Sequence, residues 1–232
     1  MTNPCISKAT PASVAAAARG LRLGDTAPNF DAKTTQGQIE FHEFKKDSWA
    51  ILFSHPEDFT PVCTTELGAV AKLSSEWAER NIKPIGLSCN TLDSHEAWIA
   101  DINETQNTTV KFPIIADADR SIATLYGMLD QQDSTNVDKL GMPLTVRSVF
   151  IIDPKHVVRL ILTYPASTGR NFNEVLRVVD SLQLTEKRKV CTPVNWLPGQ
   201  DVIIPPSVSQ ADADKLFPGH KIHKPYLRTT AL

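Results

Sequence analysis

The chain reads as an α/β layered domain on a mixed sheet, followed by a smaller C-terminal extension. Three observations lead there. Short β-rich apolar runs alternate with segments of helical periodicity from Trp49 to Tyr126. A late pair of β-rich runs flanks the turn Asp153-Pro154-Lys155-His156, which adds an antiparallel hairpin to the sheet. Beyond residue 186 the texture changes, with prolines at 193, 198, 205, 206, 218 and 225 and few helical patterns. The expected organisation is a leader over 1–20, a main domain over 21–186 and an extension over 187–232. The extension is too small to bury a large core alone and is expected to pack on the main domain or on a second subunit.

Each element has its own signal. Residues 1–24 carry Lys8, Arg19, Arg22, many alanines and no acidic residue. That is the composition of a mitochondrial transit peptide, and equally of a short flexible leader on a cytoplasmic protein. Trp49-Ala50-Ile51-Leu52-Phe53 reads as a buried strand that delivers the chain into the loop Ser54-His55-Pro56. After Cys63, apolar residues recur at Leu67, Val70, Leu73 and Trp77, which predicts a helix with Thr64, Thr65 and Glu66 in its first turn. Ile82 to Ser88 is the next strand. Ser94 and Ala97 open a helix carrying Trp98 and Ile102. Phe112 to Ile115 is a strand, Asp117-Ala118-Asp119 a turn or N-cap region, and Ser121 to Tyr126 a short helix. Val149–Ile152 and Val157–Leu162 form the hairpin. Phe172 to Leu184 is a helix with Val175, Leu176, Val179 and Leu182 on one face.

Composition excludes several functions. Net charge is −2, with 24 basic and 26 acidic residues, so nothing favours nucleic acid or a charged membrane surface. No apolar run approaches the roughly 20 residues of a membrane span. The four cysteines, at 5, 63, 89 and 191, are too sparse for a secreted disulfide framework. None lies in a CxxC pair, so no metal site is expected. Reduced thiols in an intracellular compartment follow, the cytoplasm first and the mitochondrion as the alternative.

The candidate site is the run Asp58-Phe59-Thr60-Pro61-Val62-Cys63-Thr64-Thr65-Glu66. A thiol at a helix start meets unsatisfied N–H groups and the positive end of the helix dipole, both of which favour the nucleophilic thiolate. The Thr60 hydroxyl, three residues earlier, can fold back to the sulfur, while Pro61 and Val62 shield it. Such a pocket suits a small electrophile, and a cation from elsewhere in the chain would complete it. A cysteine protease would need a partner histidine; His55 is near in sequence, but no protease signature accompanies it. A dithiol enzyme would need a second cysteine close by. A buried inert cysteine is the remaining reading.

The run, preceded by Phe53-Ser54-His55-Pro56, resembles the active-site signature of the peroxiredoxins, more narrowly their one-cysteine, peroxiredoxin 6 type. Further matches are Gly24-Asp25-Thr26-Ala27-Pro28-Asn29-Phe30, Phe112-Pro113-Ile114-Ile115, Val146-Arg147-Ser148-Val149-Phe150, Tyr164-Pro165, Thr168-Gly169-Arg170-Asn171-Phe172 and Thr192-Pro193-Val194-Asn195-Trp196. Asp201 to Ser207 and Lys224 to Arg228 are similar in texture to fungal mitochondrial members. The resemblance implies a thioredoxin-like fold and a peroxidase without cofactors. Cys63 would attack hydrogen peroxide or an organic hydroperoxide and become a sulfenic acid. Thr60 would bond the peroxide and the sulfur, and Arg147 would stabilise the thiolate and the leaving oxygen. Pro56 would wall the pocket, and His55 would lie near the thiol. Glu66 would orient Arg147, and Arg170 would add a second positive charge. An external thiol (glutathione, glutaredoxin or thioredoxin) would restore Cys63, and the protein would be a homodimer. A peroxide sensor or chaperone that relays oxidation to partner proteins is the alternative.

Two departures stand out. The phospholipase element of some members is Gly-x-Ser-x-Gly; here Lys46-Asp47-Ser48-Trp49-Ala50 lacks both glycines. Ser48 and His42 remain, but Lys155 stands where the acid would be, so that activity is not expected. Cys191 lies near the place of a resolving thiol in two-cysteine relatives, one residue too far from Trp196. It is either an incidental thiol or the partner of Cys63 in a disulfide.

Overall fold

The structure is a computed structural model that describes residues 20–232. The leader before Gly20, with Cys5, lies outside the described residues. A seven-stranded mixed sheet forms the centre of the first compact unit, which ends at Arg170. Its strands are β1 (Asp31–Thr34), β2 (Gly37–Glu40), β3 (Trp49–Ser54), β4 (Ile82–Ser88), β5 (Ile114–Ala116), β6 (Arg147–Ile152) and β7 (Val158–Tyr164), in the order β2-β1-β5-β4-β3-β6-β7. The helices are α1 (Phe41–Lys45), α2 (Pro61–Lys72), α3 (Ser74–Glu79), α4 (Leu92–Gln106) and α5 (Ser121–Leu125). The arrangement is the thioredoxin-like one, with β4 parallel to β3 and β5, and β6 antiparallel to β3.

β3 is buried along its whole length, which is why it reads as a continuous apolar run and not as an alternating one. Pro84 is tolerated inside β4 because β5 pairs only from Gly86 onward, so the strand is one-sided at the proline. Leu52, Ile85, Leu87, Phe150 and Ile152 form the core with Phe41, Tyr126 and Met128. The predicted turn at Asp117 is a cap: its carboxylate accepts from the Ile122 and Ala123 N–H groups at 3.0 and 2.7 Å.

The sequence reading misses the β1–β2 hairpin. Its signal is short: Ala32 and Thr34 point inward and Gly37 takes the turn with φ +99°. The reading also starts α2 too late. Thr60 is the N-cap and Pro61 opens the helix, so Cys63 lies inside the first turn and not ahead of it.

The second compact unit is Asn171–Leu232. The division falls before the helix α6 (Phe172–Lys187). Asn171 caps α6 by accepting from the Asn173 and Glu174 N–H groups. Strands β8 (Val202–Ile204), β9 (Lys221–Lys224) and β10 (Leu227–Thr230) form an antiparallel sheet in the order β8-β10-β9, with the short helix α7 (Gln210–Leu216) between β8 and β9 in the chain. The unit has a core of its own: Val190, Trp196, Val202, Ile204, Val208, Ala213 and Phe217. The proline-rich spacing hides it, because its apolar residues come from loops as much as from regular elements.

His156 occupies the β6–β7 turn at φ +64° and stacks on His42, with ring centroids 3.9 Å apart. Burial lowers the pKa of both rings; for His156 the charges of His42 and Lys45 add to burial, against the pull of Asp153 and Glu40. Both stay neutral where the unfolded chain takes up protons. Stability is therefore complete above the ordinary histidine range and falls as the pH drops through it. His156→Asn keeps a residue that accepts left-handed φ but removes the stack. Denaturant midpoints between pH 7.5 and 5 are expected to vary less in this variant than in the parent; equal slopes contradict the assignment.

Candidate active site

β3 and β6 bring the site together. β3 ends at Ser54, and the loop 55–60 turns the chain into α2. Pairing of Phe53 with Val149 sets Arg147 at the start of β6, beside the end of β3. Cys63 is fully enclosed, at 0% exposure. Arg147 Nη1 lies 3.3 Å from its Sγ. Two cavities of the first unit, of about 380 and 610 Å³, are not lined by Cys63; the larger lies along Asp130, Val146 and Pro165–Ser167. The thiol itself is the enclosed feature.

The guanidiniums are held rigidly. Arg147 donates from Nη1 to Glu66 Oε2 at 2.7 Å, and from Nε and Nη2 to the Ala166 carbonyl at 2.9 and 2.7 Å. Arg170 donates from Nε and Nη2 to Glu66 at 3.0 and 2.8 Å, from its backbone N–H to Oε1 at 2.7 Å, and from Nη1 to the Ser148 carbonyl at 2.7 Å. Burial pushes the Glu66 carboxyl up, but the charge and hydrogen bonds of Arg170, with the charge of Arg147, hold it below its ordinary value. Two guanidiniums against one carboxylate leave one positive charge facing the sulfur, the complement of a single thiolate.

Thr60 is half-buried and its hydroxyl donates to the Glu57 carbonyl at 2.8 Å, not to the sulfur. The expected fold-back is corrected on this point: with its proton given to Glu57, Thr60 keeps acceptor capacity only. Pro56 and His55 are buried in the same loop, whereas Pro61, expected to shield the thiol, is exposed. Phe59, at φ +55°, carries the backbone strain of this loop.

His55 Nε2 donates to Asp58 Oδ1 at 2.8 Å. Asp58 opens the sequence-level run but is given no role there, and His95 and Trp98 are absent from it. α4 supplies His95 and Trp98 from one buried face; Trp98 Nε1 donates to Thr64 Oγ1 at 3.2 Å, next to Cys63. A histidine three residues before a tryptophan on an apolar helix face is the signal that could have found them. His55, Asp58 and His95 are the one group among the described residues with the composition of a metal site. Their atoms meet as hydrogen-bond donors and acceptors, and we read them as bonded to one another and not as ligands.

The other flagged residues lie apart from this chemistry. Ser48 donates to Asn81 Oδ1 at 2.9 Å and His42 Nε2 to the Ala27 carbonyl at 2.9 Å, so neither hydrogen bond joins nucleophile to base. Burial raises the Cys89 thiol to about 11, consistent with an inert side chain. Cys191 is exposed, with its backbone paired to Ile203.

A thioredoxin-like sheet presenting one enclosed thiol to a fixed guanidinium defines a thiol-based redox enzyme. Residues 23–161 match the AhpC/TSA family, and residues 181–220 match the C-terminal domain of 1-Cys peroxiredoxin. The chain is 56% identical over 211 residues to Peroxiredoxin PRX1, mitochondrial, of Saccharomyces cerevisiae, covering 90% of this chain and 80% of that protein. It is 53% identical over 203 residues to Peroxiredoxin-6 of Homo sapiens, covering 86% and 89%. The crystal structure of a cysteine-to-serine mutant of peroxiredoxin 6 from Arenicola marina superposes with a TM-score of 0.88 at 45% identity, over 91% of this chain and 98% of that one. A yeast mitochondrial 1-Cys peroxiredoxin does so at 0.84 and 54%, over 91% and 100%. The chain belongs to the peroxiredoxin family, in its one-cysteine branch. It is a thiol peroxidase of antioxidant defence.

Proposed function

We propose that Cys63 is the peroxidatic residue and that an external thiol, glutathione or thioredoxin, returns it to the reduced state. The observation that carries this reading is the single positive charge left by Arg147, Arg170 and Glu66 against an enclosed sulfur. The thiolate attacks one oxygen of the hydroperoxide. The S–O bond forms as O–O breaks, and the other oxygen departs as an anion that takes a proton from solvent. Arg147 faces both the sulfur and the charge that develops on the departing oxygen. Thr60 accepts the peroxide hydroxyl, Pro56 limits water, and Glu66 fixes both arginines. The yeast mitochondrial 1-Cys peroxiredoxin resolves its thiol via glutathione/thioredoxin systems, which supports the choice of reductant. A homodimer belongs to this reading; β7, an edge strand bonded on one side only, supports it. The mitochondrial name of the yeast relative and the acid-free leader support an intracellular site in the mitochondrion over the cytoplasm.

The test is one equivalent of peroxide followed by mass spectrometry and non-reducing electrophoresis. One added oxygen is expected on the Cys63 peptide, removed by glutathione or thioredoxin. No crosslink dependent on Cys191 is expected. Oxygen on another cysteine, or a crosslink lost in Cys191→Ser, contradicts the reading.

A further inference from the structure

The start of β4 has an open side. Proline has no N–H to give to a ladder, and Pro84 and Pro113 stand on the two segments that would meet there. β4 pairs with β3 from Ile82, but with β5 only from Gly86 and Ile114 onward. A cavity of about 380 Å³ occupies the place left between these segments and the helices α2 and α3.

Its walls are apolar: Phe44, Val70, Ala71, Trp77, Ile82 and Phe112. Polar groups stand at its rim, where Gln36, Ser74 and Lys111 are exposed and Lys83 is half-buried. Gln36 Nε2 donates to the Lys111 carbonyl at 2.9 Å, which ties the β1–β2 turn to the segment before β5. Lys83 Nζ donates to the Phe44 carbonyl at 2.6 Å and lies 5.3 Å from the centroid of the Phe44 ring. Both contacts hold the ammonium at the rim, and two of its three protons remain for another acceptor.

Among the described residues that line the cavity none is acidic, so Lys83 and Lys111 meet no carboxylate within it. Apolar walls with cations at the rim complement an apolar chain that ends in an anion. The volume lies near the lower end of the roughly 300–1,000 Å³ of ligand pockets, which suits one chain and not a two-chain phospholipid. The cavity lies at the N-terminal end of β4, whereas Cys63 follows the C-terminal end of the parallel strand β3. The two places are at opposite ends of the sheet.

We propose that this cavity binds a free single-chain monocarboxylate of the fatty-acid class, with its chain against Trp77 and Phe112 and its carboxylate on Lys83 and Lys111. The site is separate from peroxide turnover at Cys63.

Isothermal titration of the reduced full chain with decanoate, decanol and decyltrimethylammonium tests this. Decanoate is expected to bind one to one. The neutral and cationic chains are expected to bind at least about tenfold more weakly, for want of a charge-assisted hydrogen bond. Replacing both cations, Lys83→Met with Lys111→Met, is expected to weaken decanoate about tenfold or more and to leave decanol unchanged. Ser74→Trp, at an exposed position on the rim, is expected to abolish binding by filling the cavity. Peroxide consumption and the thermal midpoint of these variants should match the parent, which separates loss of the site from loss of the fold. Absence of decanoate binding in the parent overturns the proposal. So does equal affinity for decanoate and decanol, which would make the cavity an apolar cleft without selection for an anion. Parent-like decanoate affinity in the double lysine variant or in Ser74→Trp overturns it as well, by placing the ligand elsewhere.

Discussion

Cys63→Ser is expected to abolish peroxide consumption while leaving the fold unchanged. Serine fills nearly the same enclosed volume, so the thermal midpoint should stay close to that of the parent. Its hydroxyl is not ionised beside Arg147 and cannot supply the electron pair that opens the O–O bond. Loss of the nucleophile should lower the rate by a factor on the order of 10⁴ or more. Stopped-flow peroxide consumption with excess glutathione or thioredoxin measures this. Cys89→Ser should retain the parent rate, because burial holds that thiol at about 11. Cys191→Ser should do the same, because its exposed thiol is no part of the Arg147–Glu66–Arg170 network. Cys63→Ser with more than about a hundredth of the parent rate would end the assignment of Cys63 as the attacking residue.

The sequence is most legible where one local pattern decides a structure. Trp49–Ser54 and Ile82–Ser88 are strands as expected, because continuous apolar runs suit strands buried on both faces. The meeting of Cys63 with Arg147 is different. They are 84 residues apart, and the register of β3 with β6 creates the contact. Resemblance to known peroxiredoxins reaches Arg147, but no periodicity can. The pairing of Asp58 with His95 escapes for a related reason: a histidine on an apolar helix face reads as packing until the carboxylate opposite it is in place. Thr60 is legible as a pocket residue, but the direction of its proton is not. The competing acceptor, the Glu57 carbonyl, is a backbone group whose direction only the folded loop reveals. The small core around Trp196 and Phe217 hides among prolines, since its residues follow neither the helical nor the strand period.

Glu66→Gln is expected to be the most destabilising conservative change in the site. Glu66 is the common acceptor for two guanidiniums, and its side chain is 3% exposed. Gln can accept from one of them but neutralises neither, so two buried positive charges face each other without their shared anion. Removing one partner of such a network costs about 3–5 kcal/mol. Glu174→Gln, which breaks the Arg177 pair on α6 at 41% exposure, should cost less than about 1 kcal/mol. Urea denaturation of the reduced proteins at pH 7 compares them directly, and a Glu66→Gln midpoint equal to that of Glu174→Gln would refute the argument. The pH dependence supplies an independent check. The folded carboxyl is held below its unfolded value, so its contribution is full above the ordinary carboxylate range and is lost as the pH falls through the folded value. The parent should therefore lose stability on acidification more steeply than Glu66→Gln. Some acid sensitivity should persist in the variant, because Asp58 is shifted in the same direction by His55 and His95. The same substitution should slow Cys63 oxidation, since Arg147 loses the bond that points Nη1 toward both Glu66 and the sulfur.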